Sequence, residues 1–485
     1  MAGAAFLVKA IGGFLRIPLT RMMGPEGMGL YQMAYSVYGL MISVFVSGFP
    51  LAVSRMVAEA RARGAAPEAV LRASLGLLVM TGAVGSVFLY RGADFLAGTV
   101  MGDPRAAGSI RAIAPALVMV SAMAALRGYH QGLNRQEPTA LSQVAEQIVR
   151  VVTALTLVAV SLPLGLARAA QGAALGTSAG SVAGLTTLVV ITRLGPRGRC
   201  GASMAGMLAL KTAGLAVPTS LAALLLPALD ALNAVLLPRR LIQAGLETET
   251  ATALYGQLAG VALPLMGLPA IISISMAAAL VPQVAISHSS GRKSTAAMSA
   301  LTALRFTIYT AMPATTGIMV LARPLGETVF SLPEVVPLIA LVAPGCLFLA
   351  LQQSTTGILL GLGRPLIPGA SLLLALSLTG SLLYLLAPIP GWGIMGAAGG
   401  LALGLGVACC WNLFFTTRAV TLPIWGDALR LIVASAAMAA MVGAVYPGLS
   451  YWAGEWGGLG LAVLVGVGVY LASTARLLLS WLRAG

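Results

Sequence analysis

Apolar runs of about twenty residues follow one another along almost the whole chain, separated by short connections that hold most of its arginines. Hydrocarbon offers a peptide group no hydrogen-bond partner, so each run must satisfy its own backbone, and a chain of this pattern can only become a bundle of helices. The 485 residues leave room for about fourteen spans. They fall at about 2–22, 30–54, 72–90, 110–128, 143–165, 170–192, 208–238, 254–281, 301–322, 335–360, 366–388, 394–416, 428–447 and 457–481, numbered 1 to 14. Only 9% of residues are charged and mean hydropathy is +0.94, against a charged fraction of roughly 25% in soluble domains. The expected fold is an all-α polytopic membrane protein.

The formal charge is +15, from 29 Lys and Arg against 14 Asp and Glu. In a soluble chain this would point to nucleic acid, but no basic stripe with interleaved aromatics exists, and nucleic acid is not an expected partner. The basic residues are denser in the connections after even-numbered spans, such as Arg55, Arg61, Arg63 and Arg72, or Arg193, Arg197 and Arg199. Positive-inside sorting then places those connections, and both termini, on the cytoplasmic side of the plasma membrane. Residues Met1 to Leu19 lack a small-residue cleavage site and carry Lys9 and Arg16, so they read as a retained first span.

The chain repeats itself. The segment from Ala114-Pro115 to Gly132-Leu133-Asn134-Arg135 recurs as Ala343-Pro344 through Gly361-Leu362-Gly363-Arg364 at a constant shift of 229 residues (115 to 344), with Gly128 matching Gly357. The ladder Gly172, Gly176, Gly180 recurs as Gly396, Gly400, Gly404 at a shift of 224 (172 to 396). A unit of six spans enters the membrane twice in the same orientation, which makes two parallel repeats. The expected lobes are 1–195 (spans 1–6) and 205–420 (spans 7–12), with 426–485 (spans 13 and 14) as an addition. Glycines at i, i+4 let a neighbouring backbone approach closely, so the ladders read as packing faces.

Charges inside spans are the candidates for function. Arg16 lies within the apolar stretch Ala2 to Leu19, and a guanidinium near the bilayer centre costs at least about 2.5–3.5 kcal/mol. Such a residue faces water, a partner charge or a substrate. Lys9 lies seven residues before Arg16, two turns along the same face, and Arg55 closes span 2. Three cations from two helices suit a phosphate or diphosphate, because guanidinium donates bidentate bonds to such oxygens. For Lys9 and Arg55 snorkelling to the interface is the plain alternative. Glu146 and Arg150, at i, i+4 in span 5, either neutralise one another or line a cavity. Asp230, one turn before Asn233 in span 7, is either a cation or proton site or an acid hydrogen-bonded across helices.

Catalytic and metal signals are absent from the sequence. His130 and His288 are the only histidines, and neither has a ligand-spaced companion; Cys200, Cys346, Cys409 and Cys410 form no ligand spacing or disulfide framework. An enzyme is not expected.

Particular residues carry a family resemblance. The runs Gly12-Gly13-Phe14-Leu15-Arg16-Ile17-Pro18-Leu19-Thr20-Arg21, Gly24-Pro25-Glu26-Gly27-Met28-Gly29-Leu30-Tyr31-Gln32 and Gly48-Phe49-Pro50-Leu51-Ala52-Val53-Ser54-Arg55 closely resemble the stage V sporulation protein B family. So do Arg127-Gly128-Tyr129-His130-Gln131-Gly132-Leu133 and Ser142-Gln143-Val144-Ala145-Glu146-Gln147-Ile148-Val149-Arg150. That family belongs to the multidrug/oligosaccharidyl-lipid/polysaccharide exporter superfamily, with MurJ-type lipid II flippases, O-antigen repeat flippases and MATE drug exporters as other branches. The resemblance implies two six-helix lobes, alternating access, and movement of an undecaprenyl-diphosphate-linked sugar from the inner to the outer leaflet. It also implies that Lys9, Arg16 and Arg55 line the cavity. MurJ-like members have a further cavity arginine in span 8; here that span offers Gln257 near its start. The family's sodium site draws on an acid in span 7, which Asp230 matches, and on groups in spans 11 and 12, where span 11 has only Ser371, Ser377, Thr379 and Ser381.

The expected function is therefore a flippase for lipid II or a related peptidoglycan precursor in cell-wall or spore assembly, with diphosphate ligands Lys9, Arg16 and Arg55. Asp230, Asn233, Gln257, Glu146 and Arg150 are the coupling or cavity candidates. No cofactor is expected, and the coupling ion is either Na+ or H+. Expected partners are the lipid-linked oligosaccharide, membrane lipids and cell-wall synthesis proteins. The rivals are a flippase for another polysaccharide repeat unit, a MATE-type drug or cation antiporter, a membrane-bound transferase and a scaffold for wall synthesis. A cationic substrate would call for carboxylates, whereas spans 1 and 2 supply cations.

Overall fold

The computed structural model covers residues 2–193, 202–267, 292–419 and 425–484, with isolated positions between 269 and 290, and its side chains begin at Ile11. The far part of span 8 and His288 lie outside the described residues. Among those described, every regular element is a helix. Nine of the helices are long and apolar enough to cross a membrane. Two of the nine, Ile11–Ala62 and Gly426–Leu478, run for 52 and 53 residues, more than twice the ~20 residues one crossing needs. Each contains a glycine whose backbone leaves the helix, Gly24 (φ 67°) and Gly454 (φ 72°). A Cβ disfavours that conformation, so glycine sets where the long helix breaks.

The chain packs as two compact units, Met1–Gly260 and Val261–Gly485. The first contains α1 (Ala2–Phe45), α2 (Phe49–Ala62), α3 (Pro67–Arg91), α4 (Ala107–Ile113), α5 (Ala116–Gly132), α6 (Glu137–Ser161), α7 (Leu166–Arg193), α8 (Ala202–Ala223), α9 (Leu225–Gln243) and α10 (Thr248–Gly256). The glycine ladder brings α6 close against α7. A Cβ at Gly176 would stand 2.6 Å from that of Ala154, and one at Gly180 would stand 2.6 Å from the Glu146 carbonyl oxygen. Helices α9 and α10 lie against α1, so the packing boundary at Gly260 falls later in the chain than the lobe boundary expected from the sequence near 195–205.

The second unit contains α11 (Lys293–Val320), α12 (Val336–Val342), α13 (Pro344–Gly361), α14 (Leu366–Leu386), α15 (Gly393–Ala419) and α16 (Trp425–Ala484). The second ladder packs α15 on α14 as the first packs α7 on α6. A Cβ at Gly396 would stand 2.6 Å from that of Leu386.

The 229-residue repeat is carried by irregular backbone as well as by sequence. A π-helical turn at Phe95–Met101 corresponds to one at Leu325–Val329, and the 3-10 turn Pro104–Ala106 to Pro333–Val335. Gly102 (φ 88°) corresponds to Ser331 (φ 57°), and Asn134 (φ 61°) to Gly363 (φ 72°). In both copies a helix is interrupted at an Ala-Pro step, between α4 and α5 and between α12 and α13, where the proline ring removes a backbone donor.

Candidate functional site

Past its break at Gly24, α1 turns one face of tyrosines inward. Tyr31, Tyr35 and Tyr38 recur at i, i+4, i+7, with neighbouring ring centroids 5.8 and 6.0 Å apart. On another side of α1, Gly29 and Gly256 bring two main chains together. A Cβ at Gly256 would overlap the Pro25 carbonyl, and one at Gly29 would overlap that of Thr252. Only glycine permits this approach, and it delivers α10 to α1 with the Ser36 and Tyr255 hydroxyls 3.0 Å apart.

After Gly256 the helix widens into a π-helical turn, Gln257–Ala262. In such a turn the donor for the Ala259 carbonyl belongs five residues on, and that residue is Pro264, which has no N–H. Side chains of α1 take its place. Arg16 Nη1 donates to the Ala259 oxygen at 3.1 Å and Gln32 Nε2 donates to the same oxygen at 2.6 Å. Arg16 is thus half-buried and held by a neutral carbonyl. The charges and hydroxyls that act on it most strongly belong to Tyr31, Tyr35, Arg150 and Asp230.

Arg150, from α6, reaches the same place from the other side. Its Nη2 donates to the Tyr31 hydroxyl at 3.4 Å, and its guanidinium carbon lies 5.1 Å from the centre of the Tyr35 ring. Its Nε is buried with no hydrogen-bond partner among the described residues. Asp230 on α9 is exposed and acts on Arg16. Asn233, one turn later, is 1% exposed, and neither atom of its amide has a partner among the described residues.

The remaining sequence candidates go elsewhere. Glu146 is not neutralised by Arg150: it accepts from Arg127 Nη2 at 2.8 Å, while Arg127 Nε donates to Ser142 at 3.1 Å. Arg127 on α5 faces α6 at that level and satisfies both acceptors, which leaves Arg150 to turn toward the tyrosines of α1. Arg55 is 67% exposed and pairs with Glu59 one turn on, at 3.1 Å. The side chain of Lys9 lies outside the described residues. Gln257 is buried at the first position of the π-helical turn. No group of three or more His, Cys, Asp or Glu side chains able to hold a metal occurs among the described residues.

Sequence reasoning missed Tyr31, Gln32 and Tyr35, although three tyrosines at helical spacing in an apolar span were the available signal. It also missed the Ala259 carbonyl, whose only trace in the sequence is a proline five residues downstream.

The family model of polysaccharide biosynthesis proteins matches residues 2–289. Stage V sporulation protein B of Bacillus subtilis is 29% identical over 439 residues, covering 87% of this chain and 83% of the relative. The lipid II flippase MurJ of the same organism is 30% identical over 198 residues, 38% of this chain and 36% of its own. Among solved structures, a lipid II flippase MurJ in an inward closed conformation superposes with a TM-score of 0.76 at 13% identity, covering 99% of both chains. An inward-facing MATE multidrug transporter gives 0.68 at 14% identity, over 86% of this chain and 98% of that one. The fold is therefore the one that MurJ and the MATE transporters share.

Proposed function

Because the chain belongs to the polysaccharide biosynthesis protein family, we propose that it is a flippase that carries an undecaprenyl-diphosphate-linked oligosaccharide, lipid II or a related peptidoglycan precursor, from the inner to the outer leaflet. A diphosphate with attached sugars does not enter hydrocarbon, while its prenyl tail is at home there. The carrier must offer the head group a polar, cationic passage and leave the tail in lipid. Two six-span repeats alternating about that passage, with both termini cytoplasmic, complete the reading. A neutral head-group path would not need an arginine inside an apolar helix.

The observation that carries this reading is the setting of Arg16. It sits within the first apolar helix, its direct acceptor is a neutral carbonyl rather than a carboxylate, and its charge therefore stays available to an anion. Asp230 shares its field, so a coupling Na+ or H+ taken up there would strengthen the anion's hold on Arg16. The test is complementation of flippase-depleted cells, with precursor measured on the outer leaflet. The wild-type chain is expected to restore both growth and outer-leaflet precursor, and Arg16→Ala to restore neither at equal expression. Flipping by Arg16→Ala at the wild-type rate would overturn the assignment.

A further inference from the structure

Two guanidinium groups from different helices meet at the tyrosine face of α1, and the protein supplies less negative charge than they require. The hydrogen bonds trace the meeting. Arg16 and Gln32 share the Ala259 carbonyl, and Tyr31, next to Gln32 in the chain, accepts from Arg150. Glu146, the acid nearest to Arg150 in sequence on its own helix, is occupied by Arg127. Asp230 is the one acid among the groups acting most strongly on Arg16, and no acid stands among those acting most strongly on Arg150. Arg150 Nε, buried and without an acceptor among the described residues, is a charged donor that they leave unused. An anion with several oxygens answers both the surplus charge and the idle donor.

We propose that Arg150 and Arg16 form a single anion clamp, spanning α6 and α1, that grips the diphosphate of the lipid-linked substrate, with the Tyr31 hydroxyl as a third donor. This rests on reading the chain as a carrier of diphosphate-linked lipids, and it assigns the second cation of the site to α6 rather than to Arg55 at the end of α2. The planar fork of each arginine suits adjacent phosphate oxygens. Tyr35, under the Arg150 guanidinium, holds its plane in place and acts as a positioning residue. A diphosphate spans two forks, whereas a monophosphate engages them less fully, so the clamp should distinguish the two.

The test uses the purified full-length chain in detergent, titrated with farnesyl diphosphate, farnesyl monophosphate and farnesol. Wild type is expected to bind the diphosphate more tightly than the monophosphate, and both more tightly than farnesol. In Arg150→Gln the affinity for the diphosphate is expected to fall about tenfold or more, more than for the monophosphate and with no change for farnesol. Arg150→Lys is expected to recover part of the loss, since it restores charge but not the fork. If Arg150→Gln binds the diphosphate like wild type while Arg16→Gln does not, the clamp is wrong and the carrier reading stands. If wild type shows no preference for the diphosphate over farnesol, the carrier reading fails and takes the clamp with it. Should Arg150→Gln not fold, arginine modification by phenylglyoxal on the wild-type protein decides. Farnesyl diphosphate, but not farnesol, is expected to protect both Arg16 and Arg150, and protection of Arg16 alone would refute the clamp.

Discussion

An arginine inside a membrane helix is defined by what accepts from it. Arg127 has found a carboxylate and a hydroxyl, Glu146 and Ser142, and at 16% and 17% exposure the Arg127–Glu146 pair joins α5 to α6 as structure. Among the described residues Arg16 donates to a main-chain carbonyl, and Arg150 meets a phenol and an aromatic face. The three residues look alike in sequence and differ in whether their charge is already spent. Removing one partner of a satisfied pair strands the other, at a cost of about 1–3 kcal/mol. Glu146→Gln is thus expected to lower the unfolding midpoint, and adding Arg127→Gln to recover part of that loss. A thermal double-mutant cycle measures this, and independent, additive effects would show that the pair is not a unit.

At the scale of the element, the irregular turns carry more information than the regular helices. Gln257–Ala262 shows how: a widened turn aims a carbonyl out of the helix, and Pro264 withholds the donor that would have claimed it. Arg16 and Gln32 converge on that oxygen, where Pro264 offers no N–H to compete for it. Pro264→Ala restores an N–H, which is expected to draw the Ala259 carbonyl back into the helix and release Arg16. One hydrogen bond is worth about 0.5–1.5 kcal/mol net, so the phenylglyoxal labelling rate of Arg16 should rise roughly two- to twelvefold. An unchanged rate would mean that the proline has no part in shaping the site.

At the scale of the whole chain, a 229-residue shift reproduces π-helical turns, 3-10 turns and positive-φ residues, not merely apolar runs. In the proposed topology each copied unit has an even number of crossings, which would give both copies the same orientation across the membrane. The basic connections would then put the even-span side in the cytoplasm. With the four native cysteines replaced by alanine, Ala65→Cys, in the connection after span 2, is expected to react with an impermeant maleimide only from the cytoplasmic side. Thr250→Cys, after span 7, should react only from outside; both sites are exposed. Labelling of both from one side would overturn the proposed topology.

The helical architecture, the membrane setting, the repeat and the packing role of the glycine ladders were legible in the residues themselves, because hydrocarbon forces one backbone solution and because Gly and Pro act locally wherever they stand. Arg16 was legible too, since a charge in an apolar run is costly in any fold. Which charges satisfy one another was not legible. Glu146 and Arg150 have helical spacing, yet residues on other helices, Arg127 and Tyr31, are better placed to meet them. Partner choice depends on distances across the bundle, and spacing along one helix does not contain them. The tertiary structure alone decided that α1 and α6 deliver two guanidinium groups to one tyrosine-lined place, and that a carbonyl freed by a distant proline holds one of them there.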